Sequence, residues 1–236
     1  MTTGLTALSW GPDGWLDDIA KGALITLSLA LSTLPFGIIV GFIVALGTRS
    51  KYKILSVASG MFTTAFRALP ELLTLFLIFY GLQIGLQKVV NIVDPAIKVE
   101  INAFLSGMIA LAVVFGAYAG EVFVAAFQAV PPGQYEGAYS LGLTGLQTNR
   151  FIIIPQLIRI ALPGISNLWM VTLKDTALIS TIGLTDLLRQ ATVAARVTKS
   201  AFLFFGVAGF LYLVMAVASS IVIYRIDKFV SRGHRN

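Results

Sequence analysis

From Gly22 to Thr48 the chain carries no charged side chain. About 20 apolar residues suffice to cross the hydrocarbon core as a helix. A stretch of this length fits lipid better than the core of a small soluble domain, and the rest of the sequence agrees. Hydrophobic residues make up 57% of the 236 positions and charged ones only 12%, about half the share usual in soluble domains. That balance excludes a disordered chain and an ordinary soluble enzyme. There is no cysteine, so disulfides, thiolate nucleophiles and Cys-ligated metals are excluded. The lone His234 sits in a polar tail and makes no metal site by itself.

Four more apolar stretches follow. The sequence predicts an all-α membrane protein of one domain, residues 1–236, with spans at about 22–48, 54–84, 101–130, 151–180 and 200–224. The second is interrupted by Arg67-Ala68-Leu69-Pro70-Glu71, and the fourth contains Pro155, Arg159, Pro163, Lys174 and Asp175. The N-terminus has no basic region, and Asp13, Asp17 and Asp18 precede the first span, unlike a secretory signal.

Arg49, Lys51 and Lys53 crowd the first connection, and Arg225, Lys228, Arg232 and Arg235 crowd the tail. With five spans these segments fall on one side, which the positive-inside rule makes cytoplasmic, and the acidic N-terminus faces outward. Arg189, Arg196 and Lys199 fall on the outer side and weaken the asymmetry. The net charge of +6 is thus explained by membrane orientation. No basic cluster interleaved with aromatics points to nucleic acid.

The connection 131–150 is predicted to be structured. Pro131, Pro132 and Gly133 stop the third span. A short helix can run from about Gln134 to a glycine cap at Gly142. Thr144, with Gln147 three residues on, makes a capping box. Small residues such as Gly137, Ala138, Gly142 and Gly145 would let another protein approach closely; the plainer alternative is an interfacial elbow joining two spans.

Glu136-Gly137-Ala138, then Gly142, Ile152 and Ile154-Pro155 keep the spacing of the EAA signature, Glu-Ala-Ala-x3-Gly-x9-Ile-x-Leu-Pro. Gly137 replaces an Ala and Ile154 a Leu. In this the chain resembles the permease subunits of bacterial ABC importers. Arg67-Ala68-Leu69-Pro70-Glu71, Ile78-Phe79-Tyr80-Gly81, Ala117-Tyr118 with Glu121, Ala129-Val130-Pro131 and Leu173 to Leu178 look like the polar amino-acid subfamily. They are most similar to importers of histidine, of lysine, arginine and ornithine, and of opines. The resemblance implies a permease of the bacterial inner membrane, with a cytoplasmic EAA coupling helix between spans three and four. It implies two cytoplasmic ATPase subunits, a second permease chain, identical or paralogous, and a periplasmic solute-binding protein. ATP and Mg would be held by the ATPase; no G-x-x-x-x-G-K-[ST] occurs here, so this chain would carry no cofactor and no ATPase site. Glu136, Gly137, Ala138, Gly142, Ile152 and Pro155 would form the coupling surface.

Ionisable residues inside a span are costly and are functional candidates by default. Arg67 and Glu71 are i,i+4, so on one helix they would pair. They would then serve either as a structural pair or as contacts for a solute carboxylate and cation. Glu121 would be paired with Arg159 or Lys174, or would meet a cation in the pathway. Lys174 and Asp175 point about 100° apart and either match the two charges of an amino acid or make separate structural pairs. Trp169 and Thr172 lie one turn away and could line the same pocket. Leu162-Pro163-Gly164 suggests a broken helix of the kind that holds transporter sites. Arg159 is expected to snorkel to headgroups. Phe202, Phe204 and Phe205 are expected to face lipid.

The expected function is the transmembrane subunit of an importer for a polar amino acid, with a basic one favoured, or an opine. The competing class is a stand-alone secondary transporter or channel. The short chain and the absence of a visible inverted repeat speak against it. A membrane enzyme has no His/Asp/Glu constellation to support it.

Overall fold

A computed structural model describes residues 7–11, 14–94, 96–98 and 100–231. Asp13, Arg232, His234 and Arg235 lie outside them. Among the described residues every regular element is a helix. In order these are α1 (Leu16–Thr48), α2 (Lys53–Ala68), α3 (Glu71–Val93), α4 (Ala103–Ala129), α5 (Pro132–Ser140), α6 (Gly145–Thr148), α7 (Ile154–Asp175), α8 (Leu187–Thr198) and α9 (Ala201–Ser231). A π-helical turn, Asn149–Ile153, leads into α7, and a 3-10 turn, Thr176–Ile182, continues it. Among the described residues five segments are long and apolar enough to cross a membrane: Leu16–Thr48, Glu71–Val93, Ala103–Ala129, Gly145–Ile182 and Ala201–Val230.

The boundaries follow from local chemistry. Asp17 and Asp18 occupy the first turn of α1, where carboxylates complement the helix dipole. Lys21 bridges them at 3.8 and 3.9 Å, so α1 begins a turn and a half before the charge-free stretch. Asn102 caps α4 by accepting from the Phe104 N–H at 2.7 Å.

The second span is not one helix. Proline disfavours helical backbone in the residue before it, and Leu69 is extended, with ψ 141°. The chain breaks there into α2 and α3, and α3 runs on to Val93. Conversely, the expected break at Leu162-Pro163-Gly164 is absent: α7 passes through Pro163 unbroken and changes winding only at Thr176. A proline inside a spanning helix is tolerated when neighbouring groups satisfy the freed carbonyl.

The most intimate packing joins α1 and α4 through small residues on both. A Cβ at Gly41 would lie 2.6 Å from the Ala119 Cβ and 3.0 Å from the Gly120 nitrogen; one at Gly120 would lie 2.9 Å from Val44. Small-xxx-small surfaces of this kind let backbones meet where lipid supplies no hydrophobic drive. This contact fixes α4 and so places Glu121 and Tyr118. Below it, Phe115, Phe123 and Phe127 of α4 pack with Leu157 and Ala161 of α7. At the far end, Ile19, Leu187, Ala191 and Phe204 join α1, α8 and α9. Phe204 is therefore core, fully buried, and not lipid-facing as its aromatic neighbours suggested; Phe202 is exposed.

Candidate functional site

The break at Leu69 undoes the expected pairing of Arg67 with Glu71. The i,i+4 rule needs a continuous helix, and here Arg67 closes α2 while Glu71 opens α3. Arg67 turns instead to α4. Its Nη1 lies 3.7 Å from the Glu121 carboxylate, and its guanidinium stands 5.6 Å from the Tyr118 ring. Glu121 thus pairs with neither Arg159 nor Lys174. Both members of the pair keep nearly half their surface open, 45% and 46%, so they border an open face and not a closed core.

Glu71 meets Asp175, the last residue of α7. Both line two adjoining clefts, with Leu111 and Val114 of α4 on the shared wall. Tyr118 and Thr172 complete one cleft and Leu75 and Leu178 the other. The clefts hold only about 20 and 10 Å³, room for about one water each. Among the described residues neither Glu71 nor Asp175 is in an ion pair.

Two other expected solute contacts, Lys174 and Trp169, are placed elsewhere. Lys174 is exposed and lines neither cleft. Trp169 faces away, into a groove between α1, α7 and α9. It therefore does not share a pocket with Thr172. Arg159 lines a third cleft of about 250 Å³ with Gln134, Phe151, Ile152, Pro155 and Gln156. Arg67 is matched by Glu121, and Glu71 and Asp175 remain as a carboxylate pair. Tyr118 was not singled out as a site residue, because nothing in the sequence joins it to Arg67.

At the end of the bundle that carries Arg49 and Lys51, α5 and α6 form the expected helix-turn-helix. Gly142 has φ 79°. Its N–H donates to the Tyr139 carbonyl at 2.9 Å and the Leu143 N–H to the Ala138 carbonyl at 3.1 Å, which is a Schellman closure. The Thr144–Gln147 capping box is formed. Gln156 of α7 donates to the Gln134 side chain at 3.0 Å, tying α5 to the span. Glu136, Gly137 and Gly142 are exposed, Ala138 is buried, and Ile152 and Pro155 line the cleft behind them. Tyr139, Leu141, Leu146 and Phe151 are also exposed.

At the opposite end Asp186 caps α8, accepting from the Arg189 N–H at 3.0 Å. Its other oxygen is buried without a partner. Burial pushes this carboxyl from 3.8 up to about 6, against the pull of the Arg189 N–H and charge. The folded protein therefore holds the proton more tightly than the unfolded one. Stability should fall as pH rises from about 4 to about 6 and be level above that. Asp186→Asn keeps a capping residue and removes the buried charge. Its melting temperature near neutral pH should exceed that of the wild type by an amount worth on the order of 2 kcal/mol. The two curves should converge toward the acid end. Parallel pH profiles would contradict this.

The geometry can be set beside known proteins. Residues 37–235 match the family described as "Binding-protein-dependent transport system inner membrane component". The chain is 39% identical to the nopaline transport system permease protein NocQ of Agrobacterium fabrum, over 98% of this chain and 99% of that one. It is also 39% identical to the histidine/lysine/arginine/ornithine transport system permease protein HisQ of Escherichia coli, over 93% and 96%. A solved amino acid ABC transporter with histidines superposes with a TM-score of 0.76 at 32% identity, covering 91% of this chain and 94% of its own. The MetNI methionine ABC transporter, at 16% identity and a TM-score of 0.71, shares the fold. On the strength of the family match and of relatives aligned over nearly the whole chain, this protein belongs to the family of binding-protein-dependent transport system inner membrane components.

Proposed function

We propose that this chain is the transmembrane subunit of an ATP-driven importer for a basic amino acid or an opine. One observation carries the choice of solute: Glu71 and Asp175 converge on shared clefts while Arg67 is already matched by Glu121. Two carboxylates that no cation ion-pairs, with Lys174 of α7 turned to the exposed side, favour a guanidinium or ammonium group in a low-dielectric span. The Arg67–Glu121 pair, half open beside them, supplies a donor for the solute's carboxylate. Thr172 lines the same cleft. Trp169 and Lys174, placed elsewhere, are not part of this reading. The clefts are too small for an amino acid in this conformation. The solute therefore enters when the helices separate, or on a face completed by a second permease chain, identical or paralogous.

In this assembly a periplasmic binding protein delivers the solute. Two cytoplasmic ATPases, which hold ATP and Mg, dock on the exposed α5 surface around Glu136. The basic end is cytoplasmic and the N-terminus is outside.

Thermal-shift measurements on the purified importer test the assignment. Arginine, ornithine, histidine and an arginine-derived opine should raise the melting temperature, because a ligand at about 100 times its Kd adds about 2.7 kcal/mol. Glutamine, with no cation in its side chain, should not. An equal shift with glutamine would remove the role of the acid pair. Transport by this chain alone, driven by an ion gradient, would favour the secondary-transporter class.

A further inference from the structure

One cavity has no part in the solute site. It is a groove of about 610 Å³ between α1, α7 and α9. At about 30 Å³ per water-sized group, that is room for on the order of twenty methylenes. It runs along the bundle. Its walls go from Leu27 to Ile38 on α1, from Trp169 back to Leu162 on α7, and from Val214 to Ile226 on α9. The stretch on α9 is about 18 Å long at 1.5 Å per residue. Only Ser166 and Ser219 interrupt an apolar lining.

The charged side chains that border this lining most closely are Arg159 on α7 and Arg225, Asp227 and Lys228 on α9, a net positive set at one end. Arg159 is i−3 from Leu162 and i−7 from Ser166, so helix periodicity sets it on the groove side of α7, although its side chain also lines the third cleft. Arg225 is i+3 from Val222 and i+7 from Ala218, so helix periodicity sets it at the edge of the lining face of α9. Both stand at the basic end of the bundle, so the inference rests on the orientation proposed above but not on the solute.

We propose that this groove holds one acyl chain of an anionic phospholipid from the cytoplasmic leaflet, with its phosphate drawn to Arg159 and Arg225. A long apolar slot capped by two guanidiniums at a membrane surface complements an amphiphile with one anionic head. A second copy of this chain fits less well. Its own helix ends on that side carry Arg49, Lys51, Lys53, Arg225 and Lys228 against the acid Asp227, and would bring a net like charge against the two arginines.

The test is lipid retention by the purified importer. It would be reconstituted in phosphatidylcholine with a minor share of phosphatidylglycerol, extracted, and weighed by native mass spectrometry. The wild type should retain phosphatidylglycerol, about one per chain, in preference to phosphatidylcholine. Arg159→Gln and Arg225→Gln should each lower that preference about fivefold, as expected for one basic group near the surface. Ser219→Trp, which fills the slot, should remove the bound lipid of either kind. Unchanged retention in Ser219→Trp, or no preference in the wild type, would overturn the proposal. So would a Ser219→Cys disulfide joining two chains across the groove. If Ser219→Trp does not purify intact, the two arginine variants decide. Retention is read without solute, so its failure leaves the importer assignment standing, and failure of solute binding leaves this groove untouched.

Discussion

Asp175→Asn in the assembled importer should lower uptake of a cationic solute by about 100-fold, with Glu71→Gln close behind. Removing one partner of a desolvated charge pair costs about 2–5 kcal/mol, and every 1.4 kcal/mol is tenfold. Asp175 and Glu71 line the same two clefts from α7 and α3, so one bound cation would contact both. The double variant should therefore fall short of the product of the single effects, because residues sharing a partner couple. Lys174→Gln serves as the control. It removes a charge adjacent in sequence, yet Lys174 is exposed and lines neither cleft, so uptake should change about threefold or less, as for a charge outside the site. Normal uptake by Asp175→Asn, at normal expression and with ATPase bound, would exclude the acid pair from the pathway. A loss as large in Lys174→Gln would move the site toward the exposed side of α7.

The same residues show what was legible before the structure. Which positions carry charge in lipid was readable, because a charge-free length and its interruptions depend on composition alone. Helix stops that depend on one or two neighbours were also readable: the Pro131-Pro132 stop, Gly142 as cap, and Thr144 with Gln147. Partners were not. The i,i+4 argument for Arg67 and Glu71 assumed an unbroken helix, and Pro70 removes that assumption by pushing Leu69 into extended backbone. The partner of Arg67 is then set by how α2 and α4 pack, and α4 is in turn placed by the Gly41–Gly120 contact with α1. No local pattern encodes that register. Pro163 misled in the opposite direction: a proline's cost in a helix is fixed locally, but whether the bundle absorbs it is not. Trp169 and Thr172 are three residues apart and so lie on one broad side of α7. Yet the first meets α1 and α9 and the second meets α4, a division made by neighbours and not by the helix.

Gly142→Leu should uncouple the importer without unfolding it. Gly142 is exposed, has φ 79°, and a Cβ there would meet nothing within 4 Å, so the cost is conformational and not steric. Left-handed backbone costs an L-residue about 1–2 kcal/mol, and the two hydrogen bonds from Gly142 and Leu143 that close α5 depend on that conformation. The five spans do not. A loosened α5 would still expose Glu136 to the ATPase, but a docking helix transmits a change only if the partner binds its two states with different affinity, which a frayed end weakens. The expected result is ATP hydrolysis that no longer rises with solute, and uptake reduced about tenfold, the equivalent of 1.4 kcal/mol. Gly142→Asn, which tolerates positive φ, should fall between leucine and wild type. Gly137→Ala should go the other way. Nothing lies within 4 Å of a Cβ at Gly137, and alanine for glycine inside a helix adds about 0.5–1 kcal/mol. It also restores the usual residue of the EAA signature, so coupling should match or exceed wild type. If Gly142→Leu and Glu136→Ala both keep solute-stimulated hydrolysis at normal expression, α5 is a structural elbow and the ATPase docks elsewhere. If Gly137→Ala uncouples as well, the ATPase needs the bare glycine surface and not a stiffer helix.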